Sequence, residues 1–369
     1  MPIFELEIAP DCAILRASNV QALPQSQDSG AVAFVLRFLK TMPDLKTSYM
    51  GIELSNPIVI GACSLSKRID TIKQIEEAGA GGLVIKSLFE EQVQAERGVY
   101  EDRLEEYDNM FAEAVTMFPH QEHSGAKEHL YWCRETRKAV RIPLIASLNA
   151  VDKETWVEYA KELEETGVNA LELNFYSPPL DKTIPGSEIE KIEVDTLAAV
   201  IAAVKIPVSV KLHPFYTSLL NHAQNLTAAG AKSLVLFNRL FEPDIDLVKE
   251  SKKATLHLSS SSDNRLPMRW TALLHGNVNA EIISSTGIMS GKDAVKMILA
   301  GAQAVQVAST LYGNGIGHIR KMLAEMEGWM REHNHPSLAD YRGKVAQLRA
   351  EDPWHFERGQ YIKAILGFD

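Results

Sequence analysis

From Asn56 onward the chain is patterned by short apolar runs that recur at a steady interval: Pro57–Ala62, Gly82–Lys86, Pro143–Ser147, Asn169–Asn174, Pro207–Lys211, Ser233–Asn238, Glu281–Thr286 and Ala304–Ser309. Each has the length of a buried strand, and the segments between them are polar or carry helical periodicity. Four junctions, Glu77-Ala-Gly-Ala80, Glu165-Thr-Gly-Val168, Ala228-Ala-Gly-Ala231 and Leu299-Ala-Gly-Ala302, place a Gly between a helix-like stretch and the next run. Gly accepts the left-handed conformation that ends a helix, so these junctions are read as helix stops before strands. Arg141-Ile-Pro143 and Lys205-Ile-Pro207 open two further runs with Pro, at a strand start where the missing N–H is not needed. Eight strands alternating with helices predict a parallel sheet, and eight is the number that closes into a (β/α)8 TIM barrel. An open doubly wound sheet is the alternative, weakened because no Gly-x-Gly-x-x-Gly turn follows the first run.

The pattern also sets the domain limits. Residues 1–41 stand apart as an N-terminal extension: Asp11–Gly30 is rich in Gln, Ser and Asp without periodicity, and Ala31–Leu39 is a brief apolar run containing Arg37. That run is too short to span a bilayer and lacks a signal peptide's basic flank, so a flexible arm is expected, with a small interfacial helix as the alternative. Residues 42–350 form the barrel, and 351–369 an aromatic tail that packs on the barrel or on a second subunit. The Met322 and Trp329 stripe at helical spacing is expected to be core.

Composition adds exclusions. With 46% hydrophobic and 23% charged residues this is a globular chain, and a net charge of −10 with scattered Lys and Arg gives no footprint for nucleic acid. Cys12, Cys63 and Cys133 are odd in number and widely spaced, which points away from a disulfide framework and towards a cytoplasmic setting. His120, His123 and His129 fall in one polar stretch without ligand spacing and are read as a solvated insert, so no metal is expected.

Barrel enzymes place their chemistry at the carboxyl ends of the strands. Those ends here are Ala62-Cys-Ser64, Lys86-Ser87, Asn149, Asn174 with Ser177, Lys211, Asn238-Arg239, Thr286-Gly287 and Ala308-Ser-Thr310. Asn side chains offer donor and acceptor together and match the edge of an isoalloxazine or a pyrimidine, whereas a hard metal ion would need carboxylates. The small residues ending the last two strands suit a phosphate held by backbone N–H groups. Composition and spacing alone leave three classes open: a flavin enzyme, a lyase using Lys86 or Lys211 as a Schiff base, and a flavin- or phosphate-binding protein without turnover.

Over Met42 to Lys344 the motifs, taken in order, resemble the dihydroorotate dehydrogenase family of FMN-dependent barrels. The carriers are Asn56-Pro57 with Gly61-Ala-Cys-Ser64, Ile85-Lys-Ser87, Glu172-Leu-Asn174 with Ser177-Pro178, Val210-Lys-Leu212-His-Pro214, Phe237-Asn238 and Ser285-Thr-Gly-Ile288. The resemblance implies an oxidoreductase that converts dihydroorotate to orotate in pyrimidine biosynthesis, with hydride passing to flavin N5; an FMN oxidoreductase of a related pyrimidine or other unsaturated substrate is the alternative. It implies FMN contacts from Ala62, Ser64, Lys86, Ser87, Asn149, Asn174, Lys211, Thr286, Gly287, Ala308 and Ser309. Substrate contacts would come from Lys86, Asn174, Asn238 and Arg239. Ser177 stands where the family keeps its catalytic base, Lys211 faces the N1/C2 edge of the flavin, and a homodimer is expected. Met42 sits where such chains normally begin, which marks the preceding arm as an addition or a start-site artefact.

The chain departs from the family in four places. Pro179 replaces the Asn that relatives carry two residues after the base, and the loop for the substrate carboxylate is not recognisable between Leu88 and Ser124. Arg239 replaces a small hydroxyl residue and supplies a candidate bidentate carboxylate contact. Leu258-Ser-Ser-Ser-Ser262-Asp-Asn-Arg265 stands where a Gly-rich stretch is expected. The electron acceptor is left open among fumarate, NAD through a partner subunit and another protein; the extension resembles that of quinone users, but its apolar run is weak.

Overall fold

A computed structural model describes residues 43–89, 126–150, 152–175, 180–239, 243–253, 257–351, 353–357 and 359–367, within a body that spans Pro43–Asp369. The proposed extension, 1–41, lies outside the described residues.

The described chain opens with a hairpin, β1 (Thr47–Tyr49) and β2 (Ile52–Leu54), turned by Met50 and Gly51 at φ 56° and 77°. A two-residue loop with both central residues at positive φ matches the twist of an antiparallel pair. Ser48 donates to Glu281 at 2.5 Å and the Met50 N–H donates to the same carboxylate, which fixes the hairpin across the amino-terminal end of the sheet.

Eight parallel strands then close on themselves: β3 (Ile58–Ile60), β4 (Gly82–Phe89), β5 (Leu144–Asn149), β6 (Ala170–Asn174), β7 (Val208–Leu212), β8 (Ser233–Leu236), β11 (Glu281–Ser285) and β12 (Ala304–Val307). A small hairpin, β9 (Asp244–Asp246) with β10 (Ser251–Lys253), follows β8. The predicted (β/α)8 barrel is therefore the fold, and the open sheet is ruled out. Helices α1 (Ile69–Glu77), α2 (Ala126–Ala139), α3 (Lys153–Glu165), α4 (Gly186–Ala203), α5 (Leu219–Ala228), α6 (Arg265–Leu274), α7 (Gly291–Ala300), α8 (Ser309–Asn314) and α9 (His318–Glu332) lie between or after the strands. Gly79, Gly167, Gly230 and Gly301 all take positive φ just past a helix end, as the junction pattern requires.

The core has two compartments. Between strands and helices pack residues such as Ile72, Ile75, Leu163, Leu171, Val210 and Met322, the last with Ile319, Met326 and Met330 along one face of α9. Inside the barrel lies a smaller apolar layer of Val59, Val84, Ile145, Ala170, Val235, Ile283 and Ala304, with Tyr49 of the hairpin fully buried against it. Successive side chains alternate across a strand, so the same period that turns Ala170 inward also turns Glu172 and Asn174 inward, two and four residues on. At the far end, Arg269 of α6 donates to the Phe356 carbonyl at 2.7 Å and to Gln360 at 3.1 Å, tying the final helix α10 (Gly359–Leu366) to α6.

Candidate active site

The carboxyl mouth of the barrel is built from the last inward residue of several strands. Asn174 ends β6 and pairs in register with Lys211 on β7, while Asn149 ends β5 opposite Phe89 of β4. The Asn149 amide donates to the Asn174 carbonyl at 3.0 Å, and the Asn238 amide donates to Asn174 Oδ1 at 2.9 Å. Three asparagines, two at strand ends and one just past the end of β8, thus form one hydrogen-bonded chain, with Asn149 and Asn174 buried. Because Asn174 accepts at both its carbonyls, its amide nitrogen is left as the donor it can offer a ligand. Lys211 is 8% exposed and its ammonium meets Gln306 Oε1 at 3.3 Å.

Lys86 and Ser87 lie in an irregularity, for the β4–β5 register shifts between Ile85 and Leu88. A bulge re-aims the side chains of the strand that carries it. The Lys86 N–H is held by Ser66 Oγ at 2.8 Å, and burial, with the charge of Lys67 second, pushes its ammonium down to about 8. Ser87 is turned to Ser147, 2.7 Å away in the buried interior. At the end of β3, Ala62 is half-buried, and Ser64 is exposed with its hydroxyl 2.6 Å from that of Tyr312.

The last two strands end in tight turns. Thr286 and Gly287 take φ of 73° and 72°, and Thr286 Oγ1 donates to the Phe237 carbonyl at 3.0 Å. A Cβ on Gly287 would fall 2.4 Å from the Asn264 nitrogen, so only Gly fits there. Ala308 caps α8, and Ser309 Oγ accepts the Ser259 N–H at 3.1 Å. The serine run in place of the Gly-rich stretch therefore has a physical account. Ser260 and Asp263 form a capping box on the 3₁₀ turn Ser261–Asn264 that leads into α6, against the Thr286–Gly287 turn.

Ser177, with Pro178 and Pro179, lies outside the described residues. Arg239 is exposed, and its Nη1 already donates to the His257 carbonyl at 2.7 Å. The histidine grouping needs correction: His129 sits on α2, where burial first and the Lys86 charge second push it down to about 4, whereas His120 and His123 lie outside the described residues. Its position three residues into a helix with one apolar face was the signal available in the sequence. Tyr49, Gln306 and Tyr312 were not singled out as site residues at all, and Glu172 only as a letter of a motif.

The dihydroorotate dehydrogenase family model matches residues 44–330. The chain belongs to the dihydroorotate dehydrogenase family. It is 30% identical over 298 residues to the dihydroorotate dehydrogenase B (NAD(+)) catalytic subunit of Methanocaldococcus jannaschii, covering 79% of this chain and 94% of that one. The corresponding subunit of Thermoplasma volcanium is 29% identical, covering 82% and 98%. A putative dihydroorotate dehydrogenase A (fumarate) of Aeropyrum pernix is 28% identical, also covering 82% and 98%. The resemblance drawn from the motifs holds over the barrel, and with it the reaction class: oxidation across a CH–CH bond, with a flavin. The lyase alternative falls.

The residues present fit a flavin. An ammonium carries three donors, and that of Lys211 spends one on a 3.3 Å contact, so it has N–H groups left for an anionic ring edge. The asparagine chain supplies neutral donors and acceptors beside it. Among the described residues no group of three His, Cys, Asp or Glu is placed to hold a metal ion, and no helix is long and apolar enough to cross a membrane.

Proposed function

We propose that this dehydrogenase oxidises dihydroorotate to orotate with FMN as its flavin. The observation that carries it is the Asn149–Asn174–Asn238 chain set in register with Lys211 at the carboxyl mouth. FMN supplies the hydride acceptor. Lys211 contributes a fixed ammonium where negative charge develops during reduction, a preorganised stabilisation that water cannot match. Asn174 and Asn238 hold the substrate ring, and Lys86 and Arg239 face its carboxylate. Ser177 takes the proton from the carbon next to the one that loses hydride, and since a hydroxyl is a weak base it passes that proton on. Thr286, Gly287, Ala308 and Ser309 enclose the phosphate end, and Ala62, Ser64, Ser87 and Asn149 complete the cofactor side.

Two of the relatives are named as NAD(+)-type catalytic subunits, which favours assembly with a second subunit that carries electrons to NAD, beside the expected homodimer. The two described cysteines, Cys63 and Cys133, are unpaired thiols, which suits a cytoplasmic setting. The test is anaerobic: purified protein should show the blue absorption of an oxidised flavin, and dihydroorotate should bleach it. A colourless protein, or a flavin that dihydroorotate leaves oxidised, would overturn the assignment.

A further inference from the structure

Between the apolar layer and the mouth, the barrel interior carries a polar layer. In register, Ser147 of β5 is opposite Glu172 of β6, which is opposite Ser209 of β7. Glu172 has no exposed surface. Its Oε2 receives the Tyr49 hydroxyl at 3.0 Å and the Gln306 amide, and Tyr49 also meets Ser209 at 3.2 Å. Its other oxygen, Oε1, has no hydrogen bond and lies 3.8 Å from the Lys211 ammonium. Gln306 is held at both ends, donating to Glu172 and accepting from Lys211. Burial and the neighbouring carboxylate both raise the Tyr49 phenol, so it remains a donor to Glu172.

We infer that Glu172 is a positioning residue for the site's cation. The carboxylate, clamped by Tyr49 of the amino-terminal hairpin and by Gln306, is the fixed counter-charge that holds the Lys211 ammonium from below. A lysine side chain has four rotatable bonds, and a lone ammonium in this interior would turn towards whatever acceptor or water it reached. With Glu172 and Gln306 on its lower side, its remaining N–H groups are presented to the mouth. The hairpin that closes the barrel floor thereby sets the geometry of its active end. This rests on the assignment of Lys211 to the flavin.

The test reads the cation through sulfite, which adds to flavin N5 and leaves negative charge at the N1–C2 edge. In flavin-loaded protein, Glu172→Gln should weaken sulfite binding by about tenfold or more and slow flavin reduction at saturating dihydroorotate comparably, with half-saturation within about twofold. Tyr49→Phe should move both in the same direction by less. Glu172→Gln binding sulfite as tightly as the parent, or more tightly because a repelling charge has gone, overturns the inference. If Glu172→Gln does not fold, Tyr49→Phe decides, and parental sulfite affinity there overturns it equally. Lys211→Met separates the two levels. If it keeps parental sulfite affinity, the assignment of Lys211 itself fails; if it loses affinity while Glu172→Gln does not, only the role of Glu172 fails. A flavin-free readout runs alongside: Lys211→Met should lower the thermal midpoint, and Glu172→Gln combined with it should recover part of the loss, whereas additive losses would show that the two side chains are not coupled.

Discussion

Replacing Gly287 by Ala is the sharpest probe of the close approach at the end of β11, because the three nearest obstacles are all backbone. An ideal Cβ there would lie 2.4 Å from the Asn264 nitrogen and 2.8 Å from both the Asp263 carbonyl carbon and the Ser260 oxygen. None of these is the tip of a flexible side chain, so the 3₁₀ turn or the strand end must move. Holding an L residue at φ 72° costs roughly 1–2 kcal/mol, and forcing a methyl group into packed surroundings costs about 1–3 kcal/mol. Against this, Ala reduces the freedom of the unfolded chain by about 0.4–1 kcal/mol. The expected net loss is about 1–4.5 kcal/mol, measured by urea unfolding of the flavin-free protein. Because the displaced turn touches Ser309 through Ser259, FMN affinity should fall as well, measured by flavin fluorescence. Gly328 is the control: it lies inside α9 with nothing within 4 Å of its Cβ position, so Gly328→Ala should stabilise by about 0.5–1 kcal/mol. A Gly287→Ala protein within about 0.5 kcal/mol of the parent would refute the reasoning from close approach.

Ser177→Ala should keep its flavin but reduce it roughly 10²- to 10⁴-fold more slowly with dihydroorotate, while Ser177→Cys keeps measurable activity with an altered pH profile; parental rates in Ser177→Ala would leave the serine as a turn residue. Lys86 carries its charge below about pH 8 and loses it above, so orotate affinity should weaken as pH rises through that value, and should become flat there in Lys86→Met. An equal slope in both proteins would remove Lys86 from the carboxylate. Deleting residues 1–41 should leave flavin content unchanged, as the break in composition at Met42 implies; loss of bound flavin on truncation would show that the arm is needed.

What the sequence disclosed follows from how local each signal is. Every barrel strand and every Gly helix stop is written within a few consecutive residues, and all eight strands appear within a few positions of their apolar runs. The β1–β2 hairpin was missed because each strand is three residues long, too short to show a period. The polar stretch after the second strand hid the start of α2, and with it the burial of His129. The interior polar layer was illegible for a different reason. Tyr49, Glu172, Ser209 and Gln306 are far apart in the chain, and each is a single polar letter inside or beside an apolar run. The register of β6 and β7, which a one-residue slip would invert, sets Glu172 level with Ser209, and the hairpin and the distant strand β12 bring Tyr49 and Gln306 to them.

That layer also explains why the interior is not simply filled with branched aliphatic residues, as the middle of such a barrel ordinarily is. A buried carboxylate with one oxygen lacking a hydrogen bond is expensive, and ion pairs in interiors often stabilise no better than apolar replacements of the same volume. Stability alone would therefore favour an aliphatic side chain at position 172. At an effective dielectric constant near 20, opposite charges 3.8 Å apart attract by about 4 kcal/mol, enough to offset much of the desolvation but not to make the pair a net gain. What the arrangement does secure is direction: a carboxylate pinned on Oε2 by two donors has its other oxygen aimed at one place, and the ammonium in that place stands where the mouth begins. The inward period of β6 and β7 fixes this, for Glu172 lies two residues below Asn174 and Ser209 two below Lys211, so the layer that holds the cation and the layer that meets the ligand are consecutive turns of the same pleat.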